Sequence, residues 1–214
     1  MIITSHTVGA FQENCYLVVD DESGRAVLID PGAEGERLVD VVRRSDAELD
    51  AIWVTHAHLD HVGGVAAVRR VWEVPIYLHP ADAALYQNAS RQAAAYGLPF
   101  EDPPPADREL ADGDTVHVGS LAFRVMHAPG HAPGLVVFYG QGVALVGDLI
   151  FAGSVGRTDL PMSNPAHMQE SLERATATLP PETMIYPGHG RTTTMAAELR
   201  SNPFLSGAAR VLRR

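Results

Sequence analysis

Apolar residues recur along the chain with two periods, and the alternation between them sets the expected fold. Short apolar runs bounded by turn-forming residues read as strands: from Ile2-Ile3 onward, from Asn14 to Val19, and from Arg25 to Asp30. The polar hairpin Asp20-Asp21-Glu22-Ser23-Gly24 joins the latter two, and Pro31-Gly32 ends the third. Residues 34–44 then place Leu38, Val41 and Val42 at helical spacing, and Ala51-Ile52-Trp53-Val54 returns to strand. A second helix is expected over Val62 to Val71, a short strand over Pro75 to Leu78, and a helix near Ala81 to Tyr86. The stretch from about Ala89 to Asp107, rich in Pro, Ala and Gln, reads as a long surface excursion that could act as a lid. Strands follow at Leu121 to His127, Leu135 to Tyr139 and Gly142 to Val146, then a helix over Ala166 to Thr178. Met184-Ile185-Tyr186 forms a last strand and a helix starts near Thr194, so the picture is of two sheets between helical layers.

At 214 residues the chain suits one domain spanning 1–214, large enough to bury a core without disulfides. Hydrophobic residues make up 46% and charged residues 20%, the profile of a globular protein rather than a disordered one. No apolar run approaches the length of a bilayer span, so no membrane role is expected. The start, Met1-Ile2-Ile3-Thr4-Ser5-His6, lacks the features of a secretory signal, which makes the cytoplasm the expected compartment. Cys15 is the only cysteine and lies in a strand-like run, where a small buried hydrophobe is expected rather than a nucleophile. A formal charge of −10 argues against nucleic acid as a partner. All sixteen basic residues are arginine, which excludes lysine Schiff-base and P-loop chemistry. The pair Arg213-Arg214 reads as a solvated tail.

The chemistry concentrates in Thr55-His56-Ala57-His58-Leu59-Asp60-His61, directly after an apolar strand. Borderline divalent metals take neutral imidazole and carboxylate ligands, and packing alone does not call for four such groups in six residues. In extended backbone His56 and His58 point the same way, while Asp60 and His61 fall past the strand's end, where a helical turn would aim them at a neighbouring position. One loop could therefore serve two metals. Three further polar residues are held after strands by glycine and proline: His131 in Ala128-Pro129-Gly130-His131-Ala132-Pro133-Gly134, Asp148 in Leu145-Val146-Gly147-Asp148, and His189 in Tyr186-Pro187-Gly188-His189-Gly190. Each is weak alone; together with the cluster they supply five imidazoles and two carboxylates, enough for two metals sharing a bridge. His6, His79, His117, His127 and His167 lack such settings and are expected at surface or core positions, with His127 close enough to His131 to support it. Asp30, at a strand end in Ile29-Asp30-Pro31-Gly32, could orient a ligand imidazole.

The ordered series Asp30, His56-x-His58-x-Asp60-His61, His131, Asp148 and His189 resembles that of the metallo-β-lactamase-fold hydrolases. The phrases Gly153-Ser154-Val155-Gly156-Arg157-Thr158-Asp159, Pro187-Gly188-His189-Gly190 and Ser201-Asn202-Pro203-Phe204 look like the glyoxalase II branch, in particular its short bacterial members. The resemblance implies an α/β fold of four layers, an αββα sandwich, with metals in a cleft at the sheet edges. It implies His56, His58 and His131 on one divalent ion, Asp60, His61 and His189 on the other, and Asp148 as the bridge. Zinc is the first expectation for the two ions, with iron and manganese also compatible. The implied activity is hydrolysis of a small-molecule thioester, S-D-lactoylglutathione or a relative, in which metals ready a water for attack and the thiolate leaves. Asp60 is the expected catalytic residue, orienting that water; as a ligand it is not a free general base. Arg157 is a candidate substrate or supporting contact, with a structural ion pair as the alternative. Full-length glyoxalase II enzymes add a carboxyl-terminal helical segment with basic residues for glutathione; this chain ends soon after Asn202-Pro203-Phe204 and has no lysine, which leaves the substrate grip open.

Rival readings have their own signatures. The persulfide dioxygenases share the first histidine motif and the Gly-Arg-Thr-Asp phrase but use one iron for oxygen chemistry. Flavodiiron relatives place a carboxylate where this chain has His58, nucleases of the fold carry a large inserted domain, and the cytoplasmic expectation disfavours a β-lactamase. A metal-binding module without turnover is the reading from a different class. Nothing in the sequence speaks to oligomeric state.

Overall fold

Turns too short to let neighbouring strands part build the first sheet. In the structure, a computed structural model that describes residues 1–211, β1 (Ile2–Val8), β2 (Glu13–Asp20) and β3 (Arg25–Ile29) pair antiparallel through tight connections. The expected tail at Arg213-Arg214 lies outside the described residues. Helix α1 (Gly35–Arg44) carries the chain across to β4 (Glu48–Trp53), which adds parallel to β3. Helices α2 (Leu59–Val62) and α3 (Val65–Val71) lead to β5 (Ile76–Leu78), and α4 (Ala83–Gln87) and α5 (Ala89–Ala95) to the short edge strand β6 (Arg108–Glu109), both parallel additions. The order is β1-β2-β3-β4-β5-β6.

The second sheet repeats the plan with a different balance. Strands β7 (Thr115–Val118), β8 (Leu121–His127), β9 (Val136–Gly140) and β10 (Val143–Gly147) form an antiparallel meander. A small hairpin, β11 (Ile150–Phe151) and β12 (Ser154–Val155), precedes helix α6 (Pro165–Thr178), which opens with Pro165 at its first position and the Asn164 side chain accepting from the Ala166 and His167 N–H groups. Strand β13 (Met184–Pro187) then pairs parallel to β10, and β14 (Thr193–Thr194) and α7 (Met195–Ser201) follow, giving the order β14-β13-β10-β9-β8-β7.

Both faces of each sheet are covered, which is why the central strands read as nearly continuous apolar runs. Tyr16, Val18, Val27, Ile29, Trp53, Phe123, Phe138 and Leu145 share the core between the sheets, with the Trp53 ring 4.9 Å from Phe138 and 5.8 Å from Phe123. Their neighbours Leu17, Leu28 and Ile52, together with Met126, Val137 and Ala144, belong instead to the cluster that includes Leu38 and Val42 of α1, Val65 and Val68 of α3, and Met168 and Leu172 of α6. The result is the expected αββα sandwich, and Cys15 is fully buried in it. No helix of the described residues is long and apolar enough to cross a membrane.

Two expectations need correction. The helix anticipated over Val62 to Val71 is two, α2 and α3, because the Gly64 N–H turns away to bond the Pro31 carbonyl at 2.7 Å. The expected excursion over 89–107 begins with helix α5, whose Ala89 and Ala93 are buried; its Ala-rich sequence is a strong helix former, and only residues 96–107, which include Pro103-Pro104-Pro105, are irregular.

Candidate metal centre

Each candidate side chain follows the carboxyl end of a strand, where a sheet edge offers rigid support for a loop. Asp30 follows β3, His56 and His58 follow β4, His131 follows β8, Asp148 follows β10 and His189 follows β13. His58 is extended (φ −69°, ψ 151°) and precedes α2, so the turn into that helix sends Asp60 and His61 away from the His56/His58 pair. The structure brings all seven together in two adjacent groups, linked by a third of Asp30, His56 and His61. The nearest donor atoms of His56, His58 and His131 lie within 4.8 Å of one another, and so do those of Asp60, His61 and His189. Asp148 stands between them: Oδ2 is 3.3 Å from His131 Nε2 and 3.5 Å from His189 Nε2, and Oδ1 is 3.5 Å from His61 Nε2. Glycine is required where these loops touch. A Cβ at Gly188 would lie 2.2 Å from Asp148 Oδ1, and one at Gly156 would lie 1.9 Å from the Asp148 carbonyl oxygen.

The outward nitrogens of four rings are tied down, which fixes where the inward ones point. His61 Nδ1 pairs with Asp30 Oδ2 at 2.9 Å, His131 Nδ1 with the Arg157 carbonyl at 2.8 Å, His189 Nδ1 with the Phe11 carbonyl at 3.1 Å, and His56 Nδ1 with Thr55 Oγ1 at 3.1 Å. His58 is the exception and turns Nδ1 inward, 2.9 Å from His131 Nε2. Asp30 also accepts from the Thr55 N–H at 2.6 Å and the Thr55 hydroxyl at 2.5 Å. Those three bonds hold it at φ 49°, a left-handed conformation that costs a non-glycine residue about 1–2 kcal/mol.

Charge sorts the rings. Burial, reinforced by the surrounding imidazoles, pushes His56 well below its ordinary pKa, and burial likewise lowers His58 and His131, so this side presents neutral lone pairs. Burial would also lower His61, but the Asp30 and Asp148 carboxylates overcome it and hold it well above its usual range. Burial opposes ionisation of Asp60 and Asp148 too, yet the histidines beside them keep both below the usual carboxylate range. Within this knot the Nε2 atoms of His56 and His61 and Oδ1 of Asp148 are buried with no hydrogen-bond partner, an arrangement costly for polar groups that nothing binds.

The sequence profile of the metallo-beta-lactamase superfamily matches residues 8–189. The chain belongs to that superfamily. Its members are mostly metal-dependent hydrolases. Hydroxyacylglutathione hydrolase GloC of Haemophilus influenzae is 37% identical over 203 residues, covering 93% of this chain and 95% of its own. The crystal structure of TTHA1623 in a di-iron-bound form superposes with a TM-score of 0.87 at 45% identity, covering 94% of this chain and 100% of that one. That of the BLEG-1 B3 metallo-beta-lactamase gives 0.90 at 35%, covering 96% and 100%.

Four further residues surround the centre, two of them buried acids. Asp82, fully buried, accepts the Ala57 N–H at 2.8 Å and the Gly134 N–H at 2.5 Å, strapping the His56/His58 loop to the His131 loop. Burial raises its pKa to about 6, against the opposing pull of those two N–H groups. Glu13 is also fully buried, with both oxygens unpartnered and Oε1 3.9 Å from His61 Nδ1; burial pushes its pKa well above the usual range. Sequence reading missed both: each acts on residues far away in the chain, and the one visible signal was an acid inside an otherwise apolar strand or turn. Arg157 was singled out, and the structure divides its role. The guanidinium forms a two-point ion pair with Asp159 at 2.6 and 2.7 Å, and it is the backbone carbonyl that holds His131. His127 stacks on His79, 4.0 Å between centroids, and bonds the Pro133 carbonyl at 2.8 Å; it steadies the His131 loop from outside. His117 and His167 are exposed and His6 is half-buried on β1, away from the centre.

A cavity of about 740 Å³ opens over the centre, with Asp60, Asp148, His58 and His189 in its floor. Helix α5, the hairpin β11–β12 and the loop carrying Phe11 wall it. Pockets of this size hold small molecules.

Proposed function

We propose that the protein is a dinuclear metal-dependent thioester hydrolase acting on S-D-lactoylglutathione or a related thioester. The reading rests on one observation above others: buried, unpartnered nitrogen and oxygen atoms of His56, His61 and Asp148 converge in a knot whose other atoms are braced. Such a donor set fits two divalent ions. His56, His58 and His131 would hold one, Asp60, His61 and His189 the other, and Asp148 would lie between, with zinc first and iron supported by the di-iron form of TTHA1623. When bound, ions of this kind polarise a carbonyl oxygen and bring the pKa of a water toward neutrality.

The chain's own groups do the rest. Asp60 faces the cavity, with Oδ2 3.3 Å from His189 Nε2, and its carboxylate accepts a hydrogen bond from a water and orients it toward a bound carbonyl. Asp30 and the Arg157 carbonyl keep His61 and His131 from rotating as substrate enters. GloC's 37% identity supports thioesters as the substrate class. The same reading takes a small-molecule thioester as partner and the cytoplasm as compartment. Metal analysis with a thioester screen, run on wild type and Asp60→Ala, tests it: about two equivalents of metal are expected, and a variant depleted in metal and rate. An unchanged rate in Asp60→Ala counts against the mechanism. Oxygen uptake with glutathione persulfide on a single iron would favour the dioxygenase reading, and metal-loaded protein inert to thioesters, lactones and phosphoesters would favour a binding module.

A further inference from the structure

The cavity above the centre has walls that a glutathione arm does not suit. Of its polar side chains outside the centre, Gln92 and Arg157 are engaged within the protein, while Ser154 and Tyr96 contribute only hydroxyls. Gln92 accepts from the Leu59 N–H at 3.2 Å and donates to the Leu85 and Ala57 carbonyls at 2.9 and 3.4 Å. Arg157, the one arginine among the described lining residues, is spent on Asp159, and the chain has no lysine. Apart from those two hydroxyls, what remains is apolar. Phe11 and Tyr96 meet edge to face at 5.2 Å, both more than a third exposed. Leu85 and Leu160 add aliphatic surface, and the Phe151 ring stands 5.9 Å from that of His189, so the apolar wall runs up to the candidate ligands.

Glutathione carries two carboxylates, an ammonium and two peptide groups. Against such walls they would be desolvated with one engaged guanidinium and two hydroxyls to answer them. A hydrocarbon arm meets the reverse situation and gains with every methylene removed from water. We propose that this cavity selects a thioester with an apolar, medium-chain acyl group on an uncharged thiol, over one with a glutathione arm. The proposal rests on the thioesterase reading for its chemistry, while the selection itself is a property of the cavity and is measurable without turnover.

Two measurements separate the two. The first compares kcat/KM on metal-loaded enzyme for acetyl, butanoyl, hexanoyl and octanoyl thioesters of N-acetylcysteamine, S-octanoylglutathione and S-D-lactoylglutathione. A rise of roughly fourfold per methylene is expected, equivalent to ~0.8 kcal/mol per buried CH₂, with N-acetylcysteamine preferred to glutathione at equal acyl group. A flat series with lactoylglutathione as the best substrate overturns the proposal and leaves the hydrolase standing. The second titrates the uncleavable thioether S-octyl-N-acetylcysteamine into wild type, Leu160→Asp and Tyr96→Arg by calorimetry. Binding about tenfold weaker in both variants, whose altered side chains line the cavity and are at least partly exposed, supports the proposal; equal binding overturns it. Thioether binding with that pattern, in protein that cleaves no thioester, removes the hydrolase reading and keeps the cavity's preference.

Discussion

His56, His58 and His131 are sealed at 0%, 8% and 3% exposure, with only His58 reaching the cavity, whereas the side chains of Asp60 and His189 open into it at 17% and 26%. The supports differ in the same sense. The sealed trio is strapped by Asp82 across two loops and by the Arg157 carbonyl on His131, so its geometry is set by backbone on both sides. The open trio has a firm member, His61 on Asp30, and two that meet solvent, with His189 held by a single carbonyl from Phe11. On the proposed two-metal reading, one half of the centre would retain an ion and the other would present one to a ligand. On a chelator series the open half should empty first, leaving about one equivalent of metal before the fold loses its holo melting temperature.

The largest effect that would test this asymmetry comes from the sealed trio. His56→Ala should lose metal from both halves, because Asp148 and His61 lean on the same knot, and should lower kcat/KM by about 10³-fold or more, several kcal/mol of lost charge stabilisation. Retention of one full equivalent with near-normal rate would show that the halves are independent. Asp82→Ala comes next. It strands two buried N–H groups, each costing about 1–3 kcal/mol, so urea unfolding should report a loss of roughly 2–6 kcal/mol, with the sealed ion lost more readily than in wild type.

How far the sequence foretold this asymmetry depends on the distance over which each feature acts. The strand runs, the αββα layering and the seven candidate side chains could be read because periodicity and Gly-Pro punctuation are local. Asp82 could not: its partners, Ala57 and Gly134, are 25 and 52 residues away, and an acid in His79-Pro80-Ala81-Asp82 reads as an ordinary turn. Helix α5 was hidden by a composition argument that counted Ala and Gln toward a loop although both favour helix, and its Gln92 bonds to the His56/His58 loop could be seen only in three dimensions. Arg157, left by the sequence between a substrate contact and an ion pair, is in the structure paired with Asp159. Its contact with the centre is made by a backbone carbonyl that any residue would supply, which side-chain reasoning cannot see. Arg157→Ala should accordingly keep both metals and shift stability by less than about 1 kcal/mol, the worth of an exposed ion pair; a large loss of metal would show that the guanidinium, not the carbonyl, positions His131.

The smallest effect is a pH dependence confined to the sealed side. His79 begins the turn that leads to Asp82, accepts the Ala81 N–H at 3.2 Å and stacks on His127, which bonds the Pro133 carbonyl of the His131 loop. Burial, then the neighbouring His127 imidazole, lowers its pKa to about 4 from an ordinary 6.5. Between those values the unfolded chain binds more protons than the folded one, so stability is full above about 6.5 and declines as pH falls toward 4. His79 is only half-buried, and solvent screening keeps the effect under about 1 kcal/mol. His79→Asn keeps an acceptor for the Ala81 N–H and removes the titration. Chelator-treated protein should therefore show a flatter stability profile between pH 6.5 and 4 in the variant than in wild type. An identical slope in the two would place acid sensitivity elsewhere and detach the His79–His127 stack from the support of the sealed trio.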